Sequence, residues 1–106
     1  MRLSKKVMAI LQNNIKKSFG DVNVYLFGSR TDDSKKGGDI DLAIDTKLSR
    51  KEFRKKKSLF LANLIRVDFD YDIDIVNYNT SDELLYNEIQ QNHIQILVAK
   101  SHTPIL

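Results

Sequence analysis

The chain of 106 residues contains no cysteine. That excludes disulfides and thiolate metal sites, leaves oxygen atoms and two histidines as possible metal ligands, and fits a reducing, cytoplasmic setting. No apolar run is long enough to span a bilayer. The opening residues, Met1-Arg2-Leu3-Ser4-Lys5-Lys6, lead into a segment interrupted by polar residues, unlike the continuous apolar stretch of a secretory signal. A membrane is therefore not among the expected partners. Repeats, low-complexity tracts and linkers are also missing, and the single proline, Pro104, stands near the C-terminus. Residues 1–106 are expected to form one domain. With 42% hydrophobic residues the core is real but modest. Any chemistry must sit on a small scaffold, which makes a homo- or hetero-oligomer an expectation from the start.

A strong charge bias is lacking too. The formal net charge of +3 comes from 17 basic and 14 acidic residues, too mild a surplus to mark a nucleic-acid partner by itself. Its distribution says more. Residues 50–57 contain six basic side chains, whereas Asp and Glu gather around 32–45 and 68–74. The basic run reads equally as a solvated helix face and as a contact for nucleic acid, a partner or a triphosphate. Phe53 is its only aromatic residue, which counts against a stacking platform for single strands. His93 and His102 lie apart, in no metal-site spacing, and read as structural or surface residues.

What is present is regular periodicity. Val7, Ile10, Leu11, Ile15 and Phe19 recur at steps of three and four and predict an amphipathic helix over 4–19. After Gly20-Asp21, Val22, Val24 and Leu26 alternate with Asn23, Tyr25 and Phe27, predicting a strand that Gly28-Ser29 ends. Residues 30–38 read as a loop. Over 39–45, Ile40, Leu42 and Ile44 take one face and Asp39, Asp41, Ala43 and Asp45 the other. Ser49-Arg50-Lys51-Glu52 is a capping-box pattern, and Phe53, Phe60 and Leu64 continue it as a second helix to about residue 66. Residues 70–78 alternate again, Ile73 and Ile75 against Asp70, Asp72 and Asp74. Thr80-Ser81-Asp82-Glu83 opens a third helix, through Leu85 and Ile89 to about residue 92, and residues 94–98 suit a last short strand. The order predicts an α+β fold, a small mixed β-sheet with helices packed on one face and the other face open. Tyr71, Tyr78 and Tyr86 read as packing residues at sheet edges and helix faces, with one near a cleft able to support a nucleobase.

Two carboxylates at i and i+2, Asp39 and Asp41, lie side by side on one strand face. Such a pair repels itself unless a cation intervenes, and hard oxygen ligands suit Mg²⁺ or Mn²⁺. Asp72 and Asp74 repeat the spacing on a later strand. If the strands are neighbours, the set fits two ions about 3.5–4 Å apart, an arrangement that orients and neutralises a phosphoryl group. Gly28 lets a phosphate approach the backbone, Ser29 adds a hydroxyl donor, and Arg30, with Lys35 and Lys36, can balance triphosphate charge. Each element alone is common: a Gly-Ser pair is usually a turn, and exposed Asp-x-Asp is usually a solvated surface.

Their order is distinctive. Gly28-Ser29, then nine residues before Asp39 within Gly38-Asp39-Ile40-Asp41-Leu42, then an Asp-rich strand, resembles the DNA polymerase beta nucleotidyltransferase superfamily, and within it the minimal nucleotidyltransferase group. The resemblance covers about residues 22–76. It implies that Gly28, Ser29 and Arg30 hold the nucleotide phosphates and that Asp39, Asp41 and Asp74 are the catalytic, metal-binding carboxylates. Asp74 precedes Ile75-Val76 as the third family carboxylate precedes an apolar pair; Asp72 shares its face and is the rival, with Asp70 behind both. The resemblance further implies ATP as substrate, two Mg²⁺ ions with Mn²⁺ as the alternative, and transfer of AMP to an acceptor hydroxyl with release of pyrophosphate. Larger relatives carry further domains that select the acceptor, whereas minimal members pair with a HEPN-domain protein and adenylylate a tyrosine on that toxic ribonuclease, acting as its antitoxin. Two alternatives stand beside this one: a non-catalytic module that neutralises its partner by contact, and an enzyme modifying a small molecule such as an antibiotic.

Overall fold

The computed structural model describes residues 4–28, 40–69 and 71–100. Ser4 caps α1 (Lys5–Phe19), its hydroxyl accepting from the Val7 amide at 3.1 Å. Lys16 and Lys17 in the last turn complement the carbonyl end of the helix dipole, and Gly20, at φ +85°, takes a backbone conformation that side-chain-bearing residues rarely adopt and ends the helix. Strand β1 (Asn23–Phe27) follows, then β2 (Ile40–Asp45). The N-cap half of the predicted capping box forms: Ser49 Oγ accepts from the Glu52 amide at 3.2 Å and opens α2 (Arg50–Arg66). Truncating that cap, Ser49→Ala, should lower stability by about 1 kcal/mol, read as a shift of the urea midpoint with an unchanged m-value.

Strand β3 (Ile73–Asn77), α3 (Glu83–Gln91) and β4 (His93–Leu97) complete the chain. Asp82 is the N-cap of α3, its carboxylate accepting from the Leu85 amide. The sheet order is β3-β2-β1-β4, with β1 antiparallel to β2 and β4, and β2 parallel to β3. The sheet is mixed, as expected. The third strand is shorter than its alternation suggests, yet pairing continues one residue past each end: the Ile40 amide donates to the Asp72 carbonyl and the Tyr78 amide to the Ile44 carbonyl.

One face of the sheet carries the main core. Val24, Leu26, Ile40, Leu42, Ile44 and Ile75 pack with Leu11 and Ile15 of α1 and Phe60 and Leu64 of α2. Each of these large side chains contributes about 1.5–3 kcal/mol on burial. The expectation of helices on one face holds for α1 and α2 and needs correction for α3. Ile89 is fully buried against Phe27 and Ala43 on the opposite face, with Leu85, Tyr25, Val76 and Tyr78 packed around them. The cause lies in the strands: Tyr25, Phe27, Ala43 and Val76 make that face apolar at one end, and a short amphipathic helix covers it. The remainder of the face carries Asp41 and Asp74.

Candidate functional site

Alternation along β2 places Asp41 opposite the core-facing Ile40 and Leu42, and alternation along β3 does the same for Asp74 between Ile73 and Ile75. The parallel register then pairs Asp41 with Asp74 directly. The strand adjacency on which the sequence reading depended is therefore present for Asp41 and Asp74. Asp72 precedes β3 and contributes its carbonyl to the ladder, whereas Asp74 sits within the strand and level with Asp41. Register favours Asp74 over Asp72 as the partner of Asp41.

Gly28 closes the arrangement. Antiparallel pairing sets Phe27 level with Asp41, so the next residue lies beside the Asp41 side chain. Gly28 has φ +77°, and a Cβ added there would lie 2.6 Å from Asp41 Oδ2. Glycine is required twice over, by the left-handed backbone and by the close carboxylate. Ser29, Arg30, Lys35, Lys36, Asp39 and Asp70 lie outside the described residues. Among the described residues no three His, Asp or Glu side chains gather into a metal cage. The donor set that is described nevertheless suits a hard cation: Asp41 and Asp74 offer only oxygen, stand next to each other, and face a position kept clear of a side chain.

A feature that sequence reasoning missed lies at the sheet edge. Lys57 Nζ of α2 is 3.3 Å from Asp74 Oδ1, with side chains 32% and 59% exposed. Because β3 is the outer strand, a long side chain from the helix beneath can reach past it. Lys57 belongs to the basic run 50–57, but nothing in that run separates it from its neighbours.

Behind the carboxylates the face is aromatic. Tyr25 stacks on Tyr78 with centroids 4.8 Å apart, His93 meets Tyr25 edge-on at 5.1 Å, and Tyr86 lies 6.4 Å from Tyr78. Gln90 donates to the Tyr78 hydroxyl and His93 Nδ1 contacts the Ile89 carbonyl, so His93 is a packing residue, as expected. Burial pushes the Tyr25 phenol up from its ordinary pKa, and the neighbouring Tyr78 and Asp45 push it further. Tyr25 is thus a neutral phenol at neutral pH, suited to packing rather than to proton abstraction. Asp45, on the carboxylate face, accepts from Asn79 Nδ2 at 2.7 Å. Its side chain is engaged with the segment after β3.

Comparison with known proteins adds independent findings. A family model described as "Polymerase beta, Nucleotidyltransferase" matches residues 5–102. Among solved structures, the fold is similar to a chain of a toxin–antitoxin crystal structure with AMP-PNP, at TM-score 0.64 and 18% identity over 88% of this chain and 74% of that one. It is similar also to a chain of a mutant toxin–antitoxin MntA-HpeT complex, at TM-score 0.64 and 18% identity over 93% and 76%. A third likeness is to a chain of the tri-AMPylated Shewanella oneidensis HEPN toxin in complex with MNT antitoxin, at TM-score 0.56 and 19% identity over 88% and 74%. No curated protein matches the sequence. Among the described residues no helix is long and apolar enough to cross a membrane.

Proposed function

The chain belongs to the polymerase beta nucleotidyltransferase family, and from that premise we propose that it transfers AMP from ATP to a tyrosine hydroxyl of a HEPN-domain toxin, acting as the antitoxin of the pair. The observation that carries this reading is the register that sets Asp74 level with Asp41, beside a glycine that leaves room at the Asp41 carboxylate. Support for the partner and donor comes from the complexes with similar folds, one containing AMP-PNP and one an AMPylated HEPN toxin. The cysteine-free chain suits a reducing cytoplasm.

In this reading Asp39, Asp41 and Asp74 hold Mg²⁺, and Gly28, Ser29 and Arg30 grip the phosphates. When bound, divalent cations neutralise the triphosphate and polarise its α-phosphoryl group. The chain's own residues do the rest. Gly28 admits the phosphates to the backbone, and Asp41 and Asp74 present oxygens from adjacent strands whose spacing the sheet fixes. Asp74, on the edge strand β3, takes the proton of the acceptor hydroxyl. That oxygen forms a bond to the α-phosphorus as the bond to pyrophosphate breaks, so AMP passes to the acceptor.

Incubation with α-labelled ATP, Mg²⁺ and a HEPN protein encoded beside this chain tests the proposal. Label should appear on the HEPN tyrosine with wild type and be lost when Mg²⁺ is chelated. If wild type transfers no label and binds ATP no better than an Asp39→Asn, Asp41→Asn variant, the catalytic reading fails. Toxin neutralisation by that same double variant would favour a contact inhibitor.

A further inference from the structure

Lys57 is in contact with a carboxylate of the candidate site, Asp74. Its placement has a clear electrostatic meaning. Asp41 and Asp74 are like charges on adjacent strands in direct register, an arrangement that is unfavourable without a positive charge nearby. The ammonium of Lys57 supplies that charge from the edge of the sheet. It is also weakly held: Asp74 is exposed, Lys57 is only half-buried, and the lysine side chain is long and flexible. An ammonium so held compensates Asp74 while the site is empty, and can leave without disturbing the core.

We propose that Lys57 is a positioning residue that holds the Asp74 carboxylate in the metal-free protein and is displaced from it when a divalent cation binds. The proposal rests on the reading of Asp74 as a metal-binding carboxylate. It gives one member of the basic run a defined role, in which the site stays charge-compensated before loading and every incoming cation competes with a tethered one. Phe60 and Leu64, three and seven residues further along α2, are buried in the core and fix the helix beside β3, so the competing charge is held within reach of Asp74.

Competition predicts the sign of a metal-binding change. In an Mn²⁺ titration followed by the EPR signal of the free ion, with AMP-PNP present at low salt, Lys57→Met should bind Mn²⁺ about two- to fivefold more tightly than wild type, the span set by the strength of an exposed ion pair. Lys57→Arg, which keeps the charge, should match wild type, and the gap between wild type and Lys57→Met should narrow as salt is raised. Asp74→Asn should weaken binding, and adding Lys57→Met to it should bring no further change. That loss of coupling separates displacement from a general effect of removing a surface charge, which would persist in both backgrounds. Far-UV circular dichroism and melting confirm that all four variants fold. Binding by Lys57→Met that is equal to or weaker than wild type overturns the role of Lys57 while leaving Asp74 in place, provided that Asp74→Asn weakens binding. Mn²⁺ binding by Asp74→Asn at wild-type strength overturns the assignment of Asp74, and the role of Lys57 with it.

Discussion

Replacement of Asp41 by Asn is expected to lower AMP transfer by about 10³-fold, a loss of roughly 4 kcal/mol of transition-state stabilisation. Asp41 sits in the middle of the sheet, on β2, with β1 and Gly28 on one side and β3 and Asp74 on the other. A carboxylate there cannot be replaced by a neighbour swinging in, because both flanking strands are fixed by ladder hydrogen bonds. Asparagine keeps the shape and one oxygen but removes the charge, so it retains packing while losing most of its affinity for a hard dication. Stability should stay within about 1 kcal/mol of wild type, because removing one of two like charges in register offsets part of any lost polar contact. Single-turnover transfer at saturating ATP and Mg²⁺, alongside a urea melt, checks both halves. Transfer within tenfold of wild type would remove Asp41 from the metal-binding set.

How far these features could be read from sequence depends on the kind of information each needed. Helices were legible at both ends because their caps are local: Ser4 and Ser49 bond to amides three residues on, and Gly20 stops α1 where expected. The strand faces were legible because Ile40, Leu42 and Ile44 alternate strictly with Asp41, Ala43 and Asp45. The side of the sheet chosen by α3 was not. Leu85 and Ile89 declare an apolar stripe, but only the assembled sheet shows that Phe27 and Ala43 form a second apolar surface to receive it.

The site divides along the same line. Gly28 and the Asp39, Asp41 pair stand out through motif and spacing, which are properties of neighbours in sequence. The preference for Asp74 over Asp72 came from the apolar pair that follows Asp74 in sequence, whereas its place level with Asp41 required the register of β2 with β3, set by pairing between segments more than thirty residues apart. The Lys57 contact required more still: a helix on one side of the sheet, an edge strand, and a side chain long enough to pass it. Long-range ion pairs of this kind leave no periodic trace, because a basic residue on an exposed helix face looks the same whether or not it reaches a carboxylate.

The second large effect is expected at Gly28, where two glycines allow strain to be separated from function. Gly20 and Gly28 both have positive φ, +85° and +77°, so alanine at either should cost about 1–2 kcal/mol for the positive-φ backbone. For a domain of this size that is a fall of about 4–8 °C in melting temperature for each kcal/mol. Their surroundings differ completely. A Cβ at Gly20 meets nothing within 4 Å, whereas at Gly28 it would stand 2.6 Å from Asp41 Oδ2 and 3.4 Å from its Cγ. The end of an aspartate side chain can rotate away at little energetic cost, so the added methyl should not make Gly28→Ala much less stable than Gly20→Ala. Rotation, however, moves the carboxylate off the position it shares with Asp74. Misplacement of a catalytic group by about 1 Å can cost about 10²-fold in rate. Gly28→Ala should therefore lose at least about 10²-fold in transfer while Gly20→Ala, also at positive φ, keeps wild-type activity at any temperature where both are folded. Equal activities in the two variants would mean that Gly28 serves only the turn, and that the space it leaves beside Asp41 has no part in the chemistry.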